Sequence, residues 1–156
     1  RSMNTKRGDR MAFITIDDRS ARIELAVFSE SYQRYRDFLA KDKLIVVEGE
    51  VSVDEYSGGY KMSARSIYDI NQAREHFAKK LILEVNEQRA ANGFIKELQT
   101  TLGPFREGGC PVSLAYLRHG ARAEIALGEA WRVHPTDELI HRLKEVMGDD
   151  QVRMVY

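Results

Sequence analysis

The sequence predicts a mixed β and α+β chain: a small β-barrel followed by a module of strands and helices. Two observations predict it. Period-two alternation of apolar residues dominates the first 70 positions, and helical spacing breaks into the strand pattern twice between residues 92 and 147. A short connecting helix at about 71–80, with Asn71 as its cap, marks the boundary.

In the first half, residues 11–17 put Ala12, Ile14 and Ile16 on one face and Met11, Phe13 and Thr15 on the other. Asp18-Arg19-Ser20 signals a turn, and Ile23, Leu25 and Val27 then alternate with Arg22, Glu24 and Ala26. Ser29 is placed to cap a short helix whose Tyr32, Tyr35, Phe38 and Leu39 recur at helical spacing, as a core face. A strand over about 43–53 contains Gly49, which signals a bulge. Ser57-Gly58-Gly59 turns it into a last strand at about 60–70. Strand, strand, helix, long strand, strand is an OB-fold whose first strand is largely missing, since that fold has five. Arg1–Thr5 supplies only the tail of that strand, so the chain reads as a fragment of something longer.

In the second half, Leu81, Leu83 and Val85 mark a strand. A helix over 92–102 carries Phe94, Ile95, Leu98 and Leu102 on one face and stops at Gly103-Pro104. Two alternating strands meet at a His119-Gly120 turn. A helix capped by Thr136 buries Leu139, Ile140, Leu143, Val146 and Met147 and ends at Gly148. Val152, Met154 and Tyr156 form the final strand. This β-α-β-β-α-β order predicts a ferredoxin-like domain. The reading is thus an OB-fold domain at 1–70, a connecting helix at 71–80 and a ferredoxin-like domain at 81–156.

The chain has 156 residues, with 24 Lys+Arg against 24 Asp+Glu, so no global basic field exists. A grip on nucleic acid must come from local clustering, and it should be modest and salt-sensitive. The single Cys110 excludes an internal disulfide and fits a reducing compartment. No apolar run reaches membrane-spanning length, so no membrane partner is expected.

The chemistry of the residues points away from catalysis. The four His are scattered, and adjacent Asp17 and Asp18 diverge to opposite faces of a strand end. Gly58-Gly59 and Gly108-Gly109 read as turns without phosphate-loop context. No catalytic residue, metal site or cofactor is expected. Binding has more to rest on. Arg1, Lys6, Arg7 and Arg10 cluster around Gly8, a bend that lets phosphate approach mobile cations. Phe13, on the polar face of its strand, is placed to stack a base. A solvated basic turn, with Asp9 and Arg10 pairing locally, is the competing reading. Trp131 lies outside the strand patterns, and residues 152–156 are apolar on both faces. Trp131 and Met154, with Val155 and Tyr156 beside them, either finish a core or anchor a partner.

Several stretches together resemble the C-terminal end of the alpha subunit of bacterial DNA polymerase III. They are Thr5-Lys6-Arg7-Gly8, the run from Met11 to Ser20, Val46–Ser52, Asp54–Met62, Ala73-Arg74-Glu75, Trp131–Pro135 and Gln151–Tyr156. The resemblance covers essentially the whole chain. It departs at Ala21, where the family often has Gly, and at Arg153, among positions that are often acidic. It implies that the OB-fold contacts single-stranded template DNA and that the last domain docks the tau subunit of the clamp loader. It also implies that the remainder of the alpha chain is a partner, that the catalytic carboxylates lie upstream, and that the parent works in a bacterial cytoplasm. The first half is also similar to the anticodon-binding domain of class II aminoacyl-tRNA synthetases, where the second half has no place. A pair of pure protein-interaction modules is the third reading.

Overall fold

The computed structural model describes residues 1–4, 8–91 and 93–156. They form two compact units, Arg1–Ile70 and Asn71–Tyr156.

The first unit contains β1 (Ser2–Asn4), β2 (Arg10–Asp17), β3 (Arg22–Val27), α1 (Ser29–Tyr35), β4 (Val46–Val53) and β5 (Tyr60–Tyr68). Its sheet has the order β1-β2-β3-β5-β4, with β3 and β5 parallel and the other pairs antiparallel. That order, with a helix between β3 and β4, is the OB-fold arrangement, and β1 is short, as expected. Leu25, Val27, Tyr35, Ala64 and Ile67 form the core, with Ile14, Ile16, Tyr32, Phe38 and Leu39 packed against it. The β2–β3 turn is held by Asp18 Oδ1, which accepts from Ser20 N, Ser20 Oγ and Ala21 N at 2.7–2.9 Å. Gly49 sits at the register shift in β4. A Cβ there would meet the Ser63 carbonyl oxygen at 2.1 Å.

Two details of this unit differ from expectation. Phe28, not Ser29, occupies the N-cap position of α1, so the Ser29 hydroxyl makes no cap. β4 starts at Val46 rather than Lys43. Asp42 takes a positive φ of 61° and Lys43 donates to the Asp37 carbonyl at 2.9 Å, so these residues are spent on a turn.

The second unit begins with α2 (Ile70–Phe77), whose first residue belongs to the other unit. It continues through β6 (Lys80–Asn86), α3 (Glu87–Ala90), α4 (Phe94–Leu102), β7 (Arg106–Cys110), β8 (Val112–Arg118), β9 (Ala121–Ala126), α5 (Asp137–Met147) and β10 (Val152–Val155). Leu81, Leu83, Val85, Val112 and Leu114 of the sheet pack against Phe94, Leu98 and Leu102 of α4 and Leu139 and Leu143 of α5. Ile95 is turned out, adjacent to the buried stripe but not in it.

The predicted element order is present, but the strands are not arranged as in a ferredoxin-like sheet. Their order is β10-β6-β8-β9, with β6 and β8 directly adjacent and parallel. Among the described residues no strand lies between β6 and β8 in the sheet. The reason lies in the apolar supply: β6 and β8 bury most of their residues, whereas every residue of β9 is exposed. A strand alternating Ala with Arg and Glu has too little apolar area for a central place, so it takes the edge. Gly108-Gly109 is not a turn but part of β7. A Cβ on Gly108 would meet the Val133 carbonyl carbon at 2.0 Å. Arg106 and Cys110 both bridge to Val133, which explains that close approach.

Asn71 does not cap its own helix. Its Oδ1 accepts from Asp137 N at 3.0 Å, at the start of α5, beside the Thr136 hydroxyl that accepts from Leu139 N at 3.2 Å.

Candidate nucleic-acid interface

Strand alternation gives the first unit an outer face opposite its core. Across it, Phe13 pairs with Ala26, Ala26 with Ser63, and Ser63 with Glu50. The result is an aromatic ring at one end of a floor of small side chains. Phe13 is half-buried and lies outside the residues packed on the core. Phe28 continues the alternation of β3 on an extended backbone and is 53% exposed. Phe13 of β2 and Phe28, just past the end of β3, flank Ala26, and two such rings suit bases that stack without sequence readout.

The cations around this face are mostly engaged. Arg1 pairs with Glu24 at 3.4 Å, Lys61 with Asp54 at 3.4 Å, Arg65 with Glu50 at 2.7 Å and Arg22 with Asp17 at 2.7 Å. Arg10 is exposed and makes no ion pair among the described residues. Lys6 and Arg7 lie outside the described residues. Gly8 beside them has φ +85°, the left-handed backbone that the bend requires. Arg1 and Phe13 are brought together directly: Phe13 N donates to the Arg1 carbonyl at 2.7 Å, and both line a groove of about 620 Å³ with Lys41 and Lys43.

The β4–β5 hairpin closes over Asp54, whose Oδ2 accepts from Ser57 Oγ at 2.7 Å and from Ser57 N at 3.3 Å. The Ser57 hydroxyl bond, aided by Lys61, holds the Asp54 carboxyl below its ordinary range. Tyr56, at the tip, is fully exposed. Phe28, Tyr56, Lys61 and Arg65 were not singled out from sequence. For Phe28 the signal was present, since the alternation of β3 runs one step past the strand.

In the second unit, Trp131 is half-buried against the core, with the Arg106 guanidinium 4.6 Å from its ring centroid. Arg106 Nε donates to the Ala130 carbonyl at 2.7 Å, and Arg132 reaches the Gly109 carbonyl at 2.9 Å. Met154, opposite Leu81, also packs against the core. Val155 stands opposite Lys80 and is half-buried, and Tyr156 is exposed. Trp131 and Met154 therefore both reach the core, while Tyr156 faces solvent.

Residues 1–70 match the family model of the OB-fold nucleic acid binding domain. Residues 97–148 match the C-terminal domain of DNA polymerase III subunit alpha. The whole chain is 44% identical to the DNA polymerase III alpha subunit of Vibrio cholerae, covering 14% of that protein. It is 40% identical to the Escherichia coli K12 alpha subunit and 38% identical to that of Pseudomonas aeruginosa, 13% of each. The chain fits a C-terminal fragment of a DNA polymerase III alpha subunit. It spans about one seventh of the length of these relatives. Against that alpha-subunit background, the OB-fold half is the part whose family model is described by nucleic-acid binding. No described helix is long and apolar enough to cross a membrane.

Proposed function

We propose that this chain is a non-catalytic part of a replicative DNA polymerase, needing no cofactor of its own. Its first unit holds single-stranded template DNA, and its second unit docks the tau subunit of the clamp loader. Nucleotidyl transfer belongs to the remainder of the alpha chain, which is the third partner.

The observation that carries the DNA reading is the Phe13–Ala26–Ser63 row on the outer face of an OB-fold sheet. Phe13 and Phe28 supply stacking, and Arg1, Lys6, Arg7 and Arg10 supply phosphate contacts. Because Arg1 already faces Glu24 and the chain has no net positive charge, binding is modest, and it weakens as salt rises. The test is titration of a labelled oligonucleotide at two salt concentrations, with folded tRNA as competitor. Salt-dependent binding of the single strand supports the reading. Preference for tRNA would move the first unit to the anticodon-binding class, and no binding would leave a protein-interaction module.

The tau reading draws on the similarity of the second unit to the alpha C-terminal domain and on Trp131, Met154, Val155 and Tyr156. Tau binding is measured with Trp131→Ala and Met154→Gln while circular dichroism follows folding. Unchanged binding in both folded variants removes these residues from the interface. Loss of binding together with unfolding supports only their place in the core.

A further inference from the structure

β9 is an outer strand of the second unit's sheet, and its six residues are all exposed. An outer strand offers backbone N–H and C=O groups to any strand that comes alongside. Two of the guards against this are missing from β9, since it has no proline and its pairing with β8 shows no register shift. Its charges, Arg122 and Glu124, are of opposite sign.

The direction of its backbone groups follows from one bond. Leu127 N donates to the Val112 carbonyl at 3.0 Å, so odd-numbered residues of β9 bond to β8. The N–H and C=O of Arg122 and Glu124 therefore point to the open edge. Arg122 and Glu124 also share one sheet face, opposite Leu117 and Ala115.

We propose that β9 pairs antiparallel with β9 of a second copy of this chain, about a two-fold axis through Ala123. The register follows from charge. Centring the axis on Arg122 or on Glu124 sets like charges directly opposite one another, which is unfavourable. Centring it on Ala123 sets each Arg122 opposite the second copy's Glu124, twice. The hydrogen-bonded pairs are then the residues whose backbone groups already point outward. Ala123 meets its own copy at a non-hydrogen-bonded pair, where Cα atoms approach to about 4.5 Å and small side chains fit. Ile125, half exposed, lies opposite Ala121.

Within one copy, Glu124 bonds Lys80 at 2.5 Å and Arg122 faces Glu84 at 3.5 Å. Pairing joins these into one row of alternating charge across both sheets. The contact is isologous, so it closes at a dimer. Two six-residue strands bury less than the roughly 1,200 Å² of a stable interface, so association is weak and concentration-dependent.

The test is sedimentation equilibrium of the chain from about 10 μM to about 1 mM, the range of weak association. The average mass is expected to rise from 17.9 kDa toward twice that value. Arg122→Glu and Glu124→Arg should each weaken self-association about tenfold. Mixing these two variants should restore pairing, since each then faces the opposite charge on the other. A parent that stays monomeric throughout overturns the proposal. So does self-association that both variants retain, which would locate the contact elsewhere. Mixed variants that keep native circular dichroism yet fail to pair overturn the register.

Discussion

Glu75 Oε1 lies 2.7 Å from Nδ1 of His134, joining two residues 59 positions apart in the chain. Beside them, Arg74 pairs with Asp137, and Asn71 accepts from the Asp137 amide. One turn of α2 is thereby tied to the entry of α5 by side chains from both. His134 looks isolated in the sequence, and its partner is supplied only by folding.

Because Glu75 and His134 are both about half exposed, their pairing should contribute little by itself. A double-mutant cycle with Glu75→Ala and His134→Ala, followed by urea unfolding, should give a coupling below about 1 kcal/mol. A larger coupling would mean that the clamp acts as a cooperative unit.

Phe13→Ala should separate binding from folding. The ring lies outside the core, so oligonucleotide binding should weaken by about 1–3 kcal/mol while stability changes little. Leu25→Ala, which empties a fully buried site, should cost about 2–5 kcal/mol in the same unfolding measurement. A midpoint drop for Phe13→Ala as large as that of Leu25→Ala would return Phe13 to the core.

Replacing Arg1, Lys6 and Arg7 together with Ser should lower the salt slope of single-strand binding by roughly two, for about three phosphate contacts. Arg1 already faces Glu24, so its share of that change is the smallest of the three. An unchanged slope would remove the loop from the interface.

Gly108→Ala should destabilise the second unit by about 2–4 kcal/mol, because its Cβ would strike the Val133 backbone, which cannot rotate away. Gly109→Ala has open space at the same point and should be close to neutral. Thermal unfolding of the pair gives the contrast directly.

The Asp18 turn carries a pH dependence with a definite sign. Hydrogen bonds from the Ser20 hydroxyl, then from the Ala21 and Ser20 amides, lower its carboxyl from 3.8 to about 2. A depressed folded value favours the folded state fully above the unfolded value, and that favour is lost as pH falls through about 2. Asp18→Asn should therefore flatten the acid limb of stability between those two values. An acid limb identical to the parent's would mean that Asp18 titrates alike in both states.

Much of the fold was legible because it is written locally. The alternation of β2 and β3, the Asp18 turn, the Gly49 bulge and the Thr136 cap each depend on a few neighbouring residues. So does the outward placement of Phe13. β7 was missed because Gly108-Gly109 has no alternating side chains to announce a strand. The glycine there answers to Val133, which lies 25 positions away in the sequence.

The sequence by itself determined the two rhythms, the order of the elements that alternation announces, and which face of β2, β3, β6 and β8 turns to the core. Tertiary structure alone decided which strands stand side by side. β9 went to the edge because β6 and β8 outbid it in buried apolar area, a comparison among distant segments that no local period contains. The same holds for the candidate interface. Phe13, Ala26, Ser63 and Arg65 come together only because β3 pairs with β2 on one side and β5 on the other. Local patterns specify direction and face, whereas adjacency follows from competition for the core.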